Sequence, residues 1–281
     1  MKLLVAILSI VLIASLGINV YFGIENASLQ GKAKELEMIS LLTQIQNQVT
    51  AEIKKIGESV AYAADQLSTA GLSGDQANEI LSALAANSSF IIDALTADSS
   101  NHVAAVMPQT YSDLMGTYLG EPYYISTSYR ENIEPTMTSV MSLVEGVDGV
   151  VIFSPVFSSD RQFLGTVNAA FLPSKLFADA ASSVLSGTSY ALWAMQIDGL
   201  MLYDNEHPDE VGLNLFTDPT LTQYPETLSV IQRMVKEQSG HATYMYPVTH
   251  GSEQLVNKDA QWKTIGGYGS EWRLALVQTL P

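Results

Sequence analysis

His102, His207, His241 and His250 are the chain's only histidines, and none stands in H-x-x-x-H or H-E-x-x-H spacing. A helical metal site needs two ligands one turn apart on one face, so no metal centre is expected. The absence of cysteine excludes disulfides, thiolate metal sites, a cysteine nucleophile and a lipid-modified cysteine anchor. Serines are plentiful, but no G-x-S-x-G elbow presents one as a nucleophile. Gly266-Gly267-Tyr268-Gly269 has the composition of a phosphate loop, yet it falls between two expected strands, where a hairpin turn is the simpler reading. The chemistry that remains is recognition. A segment crowded with tyrosines (Tyr111, Tyr118, Tyr123, Tyr124, Tyr129) ends in Arg130. Tyrosines offer apolar walls with one orienting hydroxyl, and an arginine can clasp a carboxylate through two parallel N–H bonds. The competing reading is that the tyrosines pack a core and Arg130 pairs with Glu131 or Glu134 at the surface. No catalytic residue and no cofactor are expected.

The elements that must position these groups follow from patterning. With 281 residues, 47% of them hydrophobic, the chain can bury one large core or two modest ones. A net charge of −16 argues against a nucleic-acid partner, whose phosphates demand a basic footprint. Residues 3–22 form an apolar run broken only by Ser9, Ser15, Gly17 and Asn19, long enough to span a bilayer. A retained single-pass anchor and a cleaved secretory signal both fit, and either exports the chain. From residue 26 to 67 the pattern is helical, with Leu42, Ile45, Val49, Ile53, Ile56, Val60, Ala63 and Leu67 in steps of three and four. That stripe suits either a dimer seam or a helix lying along its own domain. Two glycines within residues 69–75 break the helix, and Ser73 or Asp75 can cap a short helix over 76–86.

Strands are expected at 90–97, 102–107, 150–157 and 163–171, with a short helix over 132–144 between the two pairs. Gly165 interrupts the last of these strands, where a bulge or a close backbone approach is the usual reason. A helix over 172–185 follows. Further strands are expected at 190–196, 200–203, 241–248, 259–268 and 272–280, with an amphipathic helix over 224–238. Asp198-Gly199 between apolar runs is a hairpin signal. Trp262 and Trp272 read as core residues. Asn26 and Asn87 begin glycosylation sequons, which matter only in a host that modifies exported proteins.

The hairpin GVVIFSPVFSSDRQFLGTVNAAFLPS at 149–174 resembles the central hairpin of extracellular Cache (PAS-like) sensor domains. WAMQIDGLMLYD (193–204), VGLNLFTDP (211–219), SGHATY (239–244), KDAQWKTI (258–265) and EWRLALV (271–277) resemble successive blocks of such a module. The resemblance implies an α+β fold: a transmembrane anchor or signal (1–25), a long stalk helix (26–67), and two Cache modules. These are membrane-distal (68–175) and membrane-proximal (176–281), each an antiparallel sheet flanked by helices. It implies a non-enzymatic extracellular sensor whose distal module binds a small organic acid, amine or amino-acid-like molecule. Tyr123, Tyr124, Tyr129 and Arg130 would cover the pocket, Asp148 would answer an ammonium group, and Phe153 would lie on the floor. Amino-acid-binding members follow the arginine closely with W-Y, whereas here Glu131-Asn132-Ile133 follows Arg130. In the second module Trp193, Tyr203, Asp204 and Tyr244 fall at the matching positions. No return span or output domain follows the last expected strand, so signalling is expected through a homodimer or a separate partner. The alternative is a structural or adhesive surface protein that keeps the fold without a pocket.

Overall fold

The computed structural model describes residues 2–120 and 134–280, the side chains of residues 1–24 and 26–28 excepted. The chain forms two compact units, residues 1–41 and 42–281. Helix α1 (Lys2–Ala70) includes the apolar run 3–22, whose side chains lie outside the described residues. Among the described residues no helix is long and apolar enough to cross a membrane.

Within the second unit the stripe Leu42, Ile45, Val49, Ile53, Ile56, Val60, Ala63, Leu67 is at most 2% exposed. It is buried within the protein's own domain, which selects the second of the two readings of that stripe. Burying a large aliphatic side chain of this kind stabilises by ~1.5–3 kcal/mol, so the stripe fixes the helix to the sheets.

After the break at Gly71 and Gly74 comes α2 (Asp75–Ala86). Its N-cap is Gly74, with no side-chain cap. The expected Ser73 or Asp75 cap is therefore corrected: at φ 90° the cap position demands glycine, and Asp75 falls in the first turn. The first sheet contains β1 (Ile91–Asp98), β2 (Val103–Met107), β3 (Thr136–Met137), β4 (Met141–Ser142), β5 (Asp148–Phe157) and β6 (Phe163–Phe171). Its order is β2-β1-β6-β5-β3, with β4 also pairing with β5, and every pairing is antiparallel. The helix expected over 132–144 is not present from residue 134 onward. Pro135 lacks the N–H a helix would use, and residues 136–142 instead run along the edge of β5. Thr138 exchanges bonds with Val151 there: its N–H donates to the Val151 carbonyl at 2.9 Å and its Oγ1 accepts from the Val151 N–H at 3.1 Å.

Helix α3 (Pro173–Leu185) follows and packs on the second sheet. That sheet contains β7 (Ala191–Gln196), β8 (Met201–Asp204), β9 (Ser239–Pro247), β10 (Leu255–Gly267) and β11 (Ser270–Thr279), ordered β8-β7-β11-β10-β9. Trp262 and Trp272 are 1% and 0% exposed, in the core as expected. Helix α4 (Pro225–Lys236) covers one face through Thr227, Ile231 and Met234. Its C-terminal carbonyls are satisfied from that sheet, since Arg273 donates Nε–H to Met234 O at 2.6 Å and Nη2–H to Val235 O at 2.8 Å. Helix ends leave such carbonyls open, so Arg273 holds the helix end against the sheet.

The two sheets and α1 meet at the turn between β10 and β11. The Tyr268 ring occupies the space beside Gly57 of α1, where an added Cβ would lie 2.1 Å from the ring. Its hydroxyl donates to Lys54 O at 3.1 Å. Its backbone carbonyl accepts from the Met137 N–H at 2.8 Å, and Ser270 Oγ donates to Met137 O at 2.8 Å.

Gly165 shows why a strand interior carries glycine here. Its φ is +153°, and a Cβ would stand 1.9 Å from Ala97 O and 2.7 Å from Leu72 Cδ1. Gly165→Ala is expected to lower stability by about 2–3 kcal/mol through strain and overpacking. Denaturant unfolding checks this, and a variant within ~0.5 kcal/mol of the parent would contradict the close approach.

Candidate functional site

Side chains two residues apart on a strand share a face, and so do cross-strand partners. The register sets Asp93, Leu95 and Ala97 of β1 opposite Ala170, Asn168 and Thr166 of β6. Those three stand opposite Val151, Phe153 and Pro155 of β5. One face of the first sheet is thus apolar with a polar stripe. Leu95, Ala97, Val103, Val106, Leu119, Leu143, Val151, Phe153 and Ala170 cluster on it, with Met141 and Tyr111 packed alongside.

The stripe's polar groups are buried. Asn168 Nδ2 donates to Thr166 Oγ1 at 2.9 Å. Asp93 is 0% exposed, and neither of its oxygens has a hydrogen-bond donor, nor does Glu145 Oε2 beside it. Both groups are carboxyls, so they can bond only by sharing a proton. Burial first, then the hydrogen bond to and the charge of Glu145, push the Asp93 carboxyl up to about 9. Asp93 shares strand parity with Leu95 and Ala97 of the buried cluster, which aims it inward.

Of the residues expected to bind a ligand, Tyr123, Tyr124, Tyr129 and Arg130 lie outside the described residues. Phe153 is buried on the polar-striped face. Asp148 is exposed at the start of β5 and accepts from Ser142 Oγ at 2.7 Å. It shares strand parity with Ile152, so the structure does not bring it together with Phe153. Asp93 was missed, although a single acid inside FIIDALTA was the available signal.

A cavity of about 20 Å³ lies in the second sheet's face beneath α4. Trp193, Asp204, Glu206, His207, Tyr244, Tyr246 and Lys258 line it among aliphatic side chains. Asp204 Oδ1 accepts the N–H groups of Glu206 at 2.7 Å and His207 at 2.8 Å, folding the loop after β8 back over the cavity. Burial, outweighing those bonds, pushes its carboxyl up to about 6. Lys258 Nζ donates to Glu206 Oε1 at 2.5 Å and Thr279 Oγ1 at 2.9 Å. The Tyr246 hydroxyl donates to the fully buried Glu210 at 2.5 Å, and desolvation raises the pKa of both Tyr244 and Tyr246. Trp193, Asp204 and Tyr244 were legible in the sequence as a group. Tyr203 separates from them: its partner on β7 is Ala194, on the face opposite Trp193, and it stacks on Phe177. Among the described residues no group of His, Asp or Glu has a metal-binding arrangement.

Residues 51–173 match the family model described as HK/GC/chemotaxis protein-like, sensor domain. The fold is similar to an extracellular ligand binding receptor from Desulfohalobium retbaense, with 30% identity and a TM-score of 0.72. That match covers 86% of this chain and 40% of the receptor, so the chain spans well under half of that relative. A ligand-binding domain of a Pseudomonas aeruginosa amino acid chemoreceptor, solved with L-Arg, shares the fold at 16% identity and TM-score 0.63, covering 88% of this chain and 96% of its own. The extracellular domain of a histidine kinase, rpHK1S-Z16, does so at 15% identity and TM-score 0.63, covering 89% and 95%. No curated protein matches the chain.

Asp93 gives the fold a pH signature. In the unfolded chain an aspartate ionises near 3.8, whereas in the fold Asp93 keeps its proton to about 9. Between these values the folded state binds the extra proton, so its stability is greatest in acid and declines as pH rises, by ~1.4 kcal/mol per pH unit for a full proton. Asp93→Asn, which cannot ionise, is expected to gain melting temperature over the parent at pH 8 and much less at pH 5. An equal difference at both pH values would contradict a retained proton.

Proposed function

We propose, on the premise that residues 51–173 are a sensor domain of the HK/GC/chemotaxis protein-like family within a two-sheet, Cache-type α+β fold, that the chain is an extracellular sensor. It binds, without catalysis, a small organic molecule carrying an ammonium group over the inner face of its first sheet. The observation that carries the reading is Asp93, a fully buried carboxyl whose one neighbour for bonding is a second acid, Glu145, with which it can only share a proton. A buried polar group of this kind costs stability unless something partners it. A ligand ammonium would displace the proton shared with Glu145 and form charge-assisted bonds to the acid pair. Thr166 and Asn168 extend the polar stripe, and Phe153 forms the apolar floor. Tyr123, Tyr124 and Tyr129 would wall the site, and Arg130 would take the carboxylate of an amino-acid-like ligand, the class to which the L-Arg of the Pseudomonas relative belongs. Asp93 takes the role expected of Asp148. The apolar run 3–22 would hold the sensor at the outer face of a membrane, with output through a homodimer or a separate signalling partner.

A second reading, a surface protein that keeps the fold without a pocket, draws on Met141 and Phe153 packing against the same face.

Calorimetry of the full chain against amino acids, small amines and organic acids separates these readings. An amine-bearing compound is expected to bind and to release a proton, visible as a heat that scales with buffer ionisation enthalpy. Asp93→Asn should weaken it at least tenfold. No binder in the panel, or equal binding by the variant, would sink the ammonium reading. Arg130→Ala is expected to weaken carboxylate-bearing ligands tenfold or more with an unchanged melting temperature. A fall in melting temperature without loss of affinity would make Arg130 a packing residue.

A further inference from the structure

The cavity beneath α4 is separate from the first sheet's face and has its own chemistry. Its volume of about 20 Å³ exceeds the ~10–15 Å³ that one water-sized occupant needs. One wall is His207, whose side chain is 5% exposed and whose Nε2 has no hydrogen-bond partner. Glu206 Oε2 is 3.9 Å from that nitrogen, beyond bonding distance. The imidazole is held in place edge-to-face against Tyr246, with centroids 5.3 Å apart. Its open nitrogen thus belongs to a fixed ring.

Two acids at the lining, Asp204 and Glu206, face one lysine, Lys258. Lys258 is committed to Glu206 and Thr279, which leaves Asp204 as an acid whose hydrogen bonds come only from backbone N–H groups, Glu206 and His207. Behind Tyr246 the buried Glu210 is met by the Tyr246 hydroxyl and by His250 Nδ1 at 3.3 Å. Trp193, Tyr244 and Tyr246 present aromatic walls, whose faces attract cations.

We propose that this cavity is a binding site for the ammonium ion, a second input to the protein independent of the organic ligand of the first sheet. Ammonium has the size of a water molecule, a positive charge to answer Asp204, and N–H donors that a neutral imidazole nitrogen accepts. Water fits the space but leaves the charge unanswered. Potassium answers the charge but has no proton for His207, and hard cations of this kind favour oxygen ligands over imidazole.

Thermal unfolding of the full chain at pH 7 in ammonium, sodium and potassium chloride at equal ionic strength tests this. A saturable rise in midpoint with ammonium alone is expected, as for any ligand that binds only the folded state. A bound signal from ¹⁵N-labelled ammonium in NMR is the direct measurement. Asp204→Asn keeps the oxygen that folds the 204–207 loop and loses the charge, and His207→Phe keeps the ring stacking and loses the acceptor. Each should weaken ammonium at least tenfold. No bound ¹⁵N signal, an equal rise with potassium, or retained affinity in both folded variants would overturn the assignment. If either variant unfolds, the ¹⁵N signal of the parent chain and its competition by potassium decide alone: displacement at equal concentration overturns the assignment and persistence supports it.

Discussion

The contact on which the architecture depends is the seat of Tyr268 against Gly57. A side chain at position 57 would collide with the ring, so the smallest residue in α1 is what lets the turn between β10 and β11 reach the helix. From that seat one turn binds three elements: α1 through Lys54, the edge of the first sheet through Met137, and the second sheet of which it is part. A further bond, from the Val140 N–H to Gln196 Oε1 at 2.7 Å, ties the same edge segment to β7. The edge strand of one sheet is thereby completed by groups from the other. Open strand edges are otherwise sticky and poorly specified, so the joint fixes register as well as position.

Both sheets use the same economy of polar groups. Each has an apolar face into which a few titratable side chains are admitted, and in each at least one of them lacks a partner: Asp93 in the first, His207 Nε2 in the second. Elsewhere buried polar groups are mostly satisfied, the Trp272 indole N–H being an exception. Arg273 meets helix carbonyls, Lys258 meets a carboxylate and a hydroxyl, and Thr96 Oγ1 donates to Leu72 O at 2.6 Å. Against that background the Asp93–Glu145 pair and His207 Nε2 are the titratable groups of the two faces that a partner from outside the fold could satisfy.

How much of this was legible in the sequence follows from which signals are local. β-Branched and aromatic residues located β5, and the three-four stepping from Leu42 to Leu67 located the buried side of α1, because each is written within a few residues. Gly165 was legible as an anomaly, with its cause, the carbonyl of Ala97 on the neighbouring strand, supplied only by pairing. The segment 134–144 was misread because its short strands exist only by borrowing the edge of β5. Asp93 was passed over because a single acid in a strand does not announce its face, which only the burial of Leu95 and Ala97 beside it reveals. Tyr203 was grouped with Asp204 through the family resemblance, yet adjacent strand residues face opposite ways. The second cavity was half visible for a related reason: Trp193 and Asp204 sit on neighbouring strands, while Lys258 and Tyr246 arrive from strands more than forty residues away in sequence.

The placement of the indoles has a consequence for anyone watching this protein in solution. All three tryptophans, Trp193, Trp262 and Trp272, belong to the second sheet and are 7%, 1% and 0% exposed, while the described part of the first sheet contains none. Intrinsic tryptophan emission therefore reports one half of the molecule only. Excitation at the red edge of the absorption band follows the second module alone, and tyrosine-selective or far-ultraviolet signals are needed to see the first. Comparing the two optical channels distinguishes a protein that melts as a single cooperative block from one whose modules part company at the Tyr268 joint.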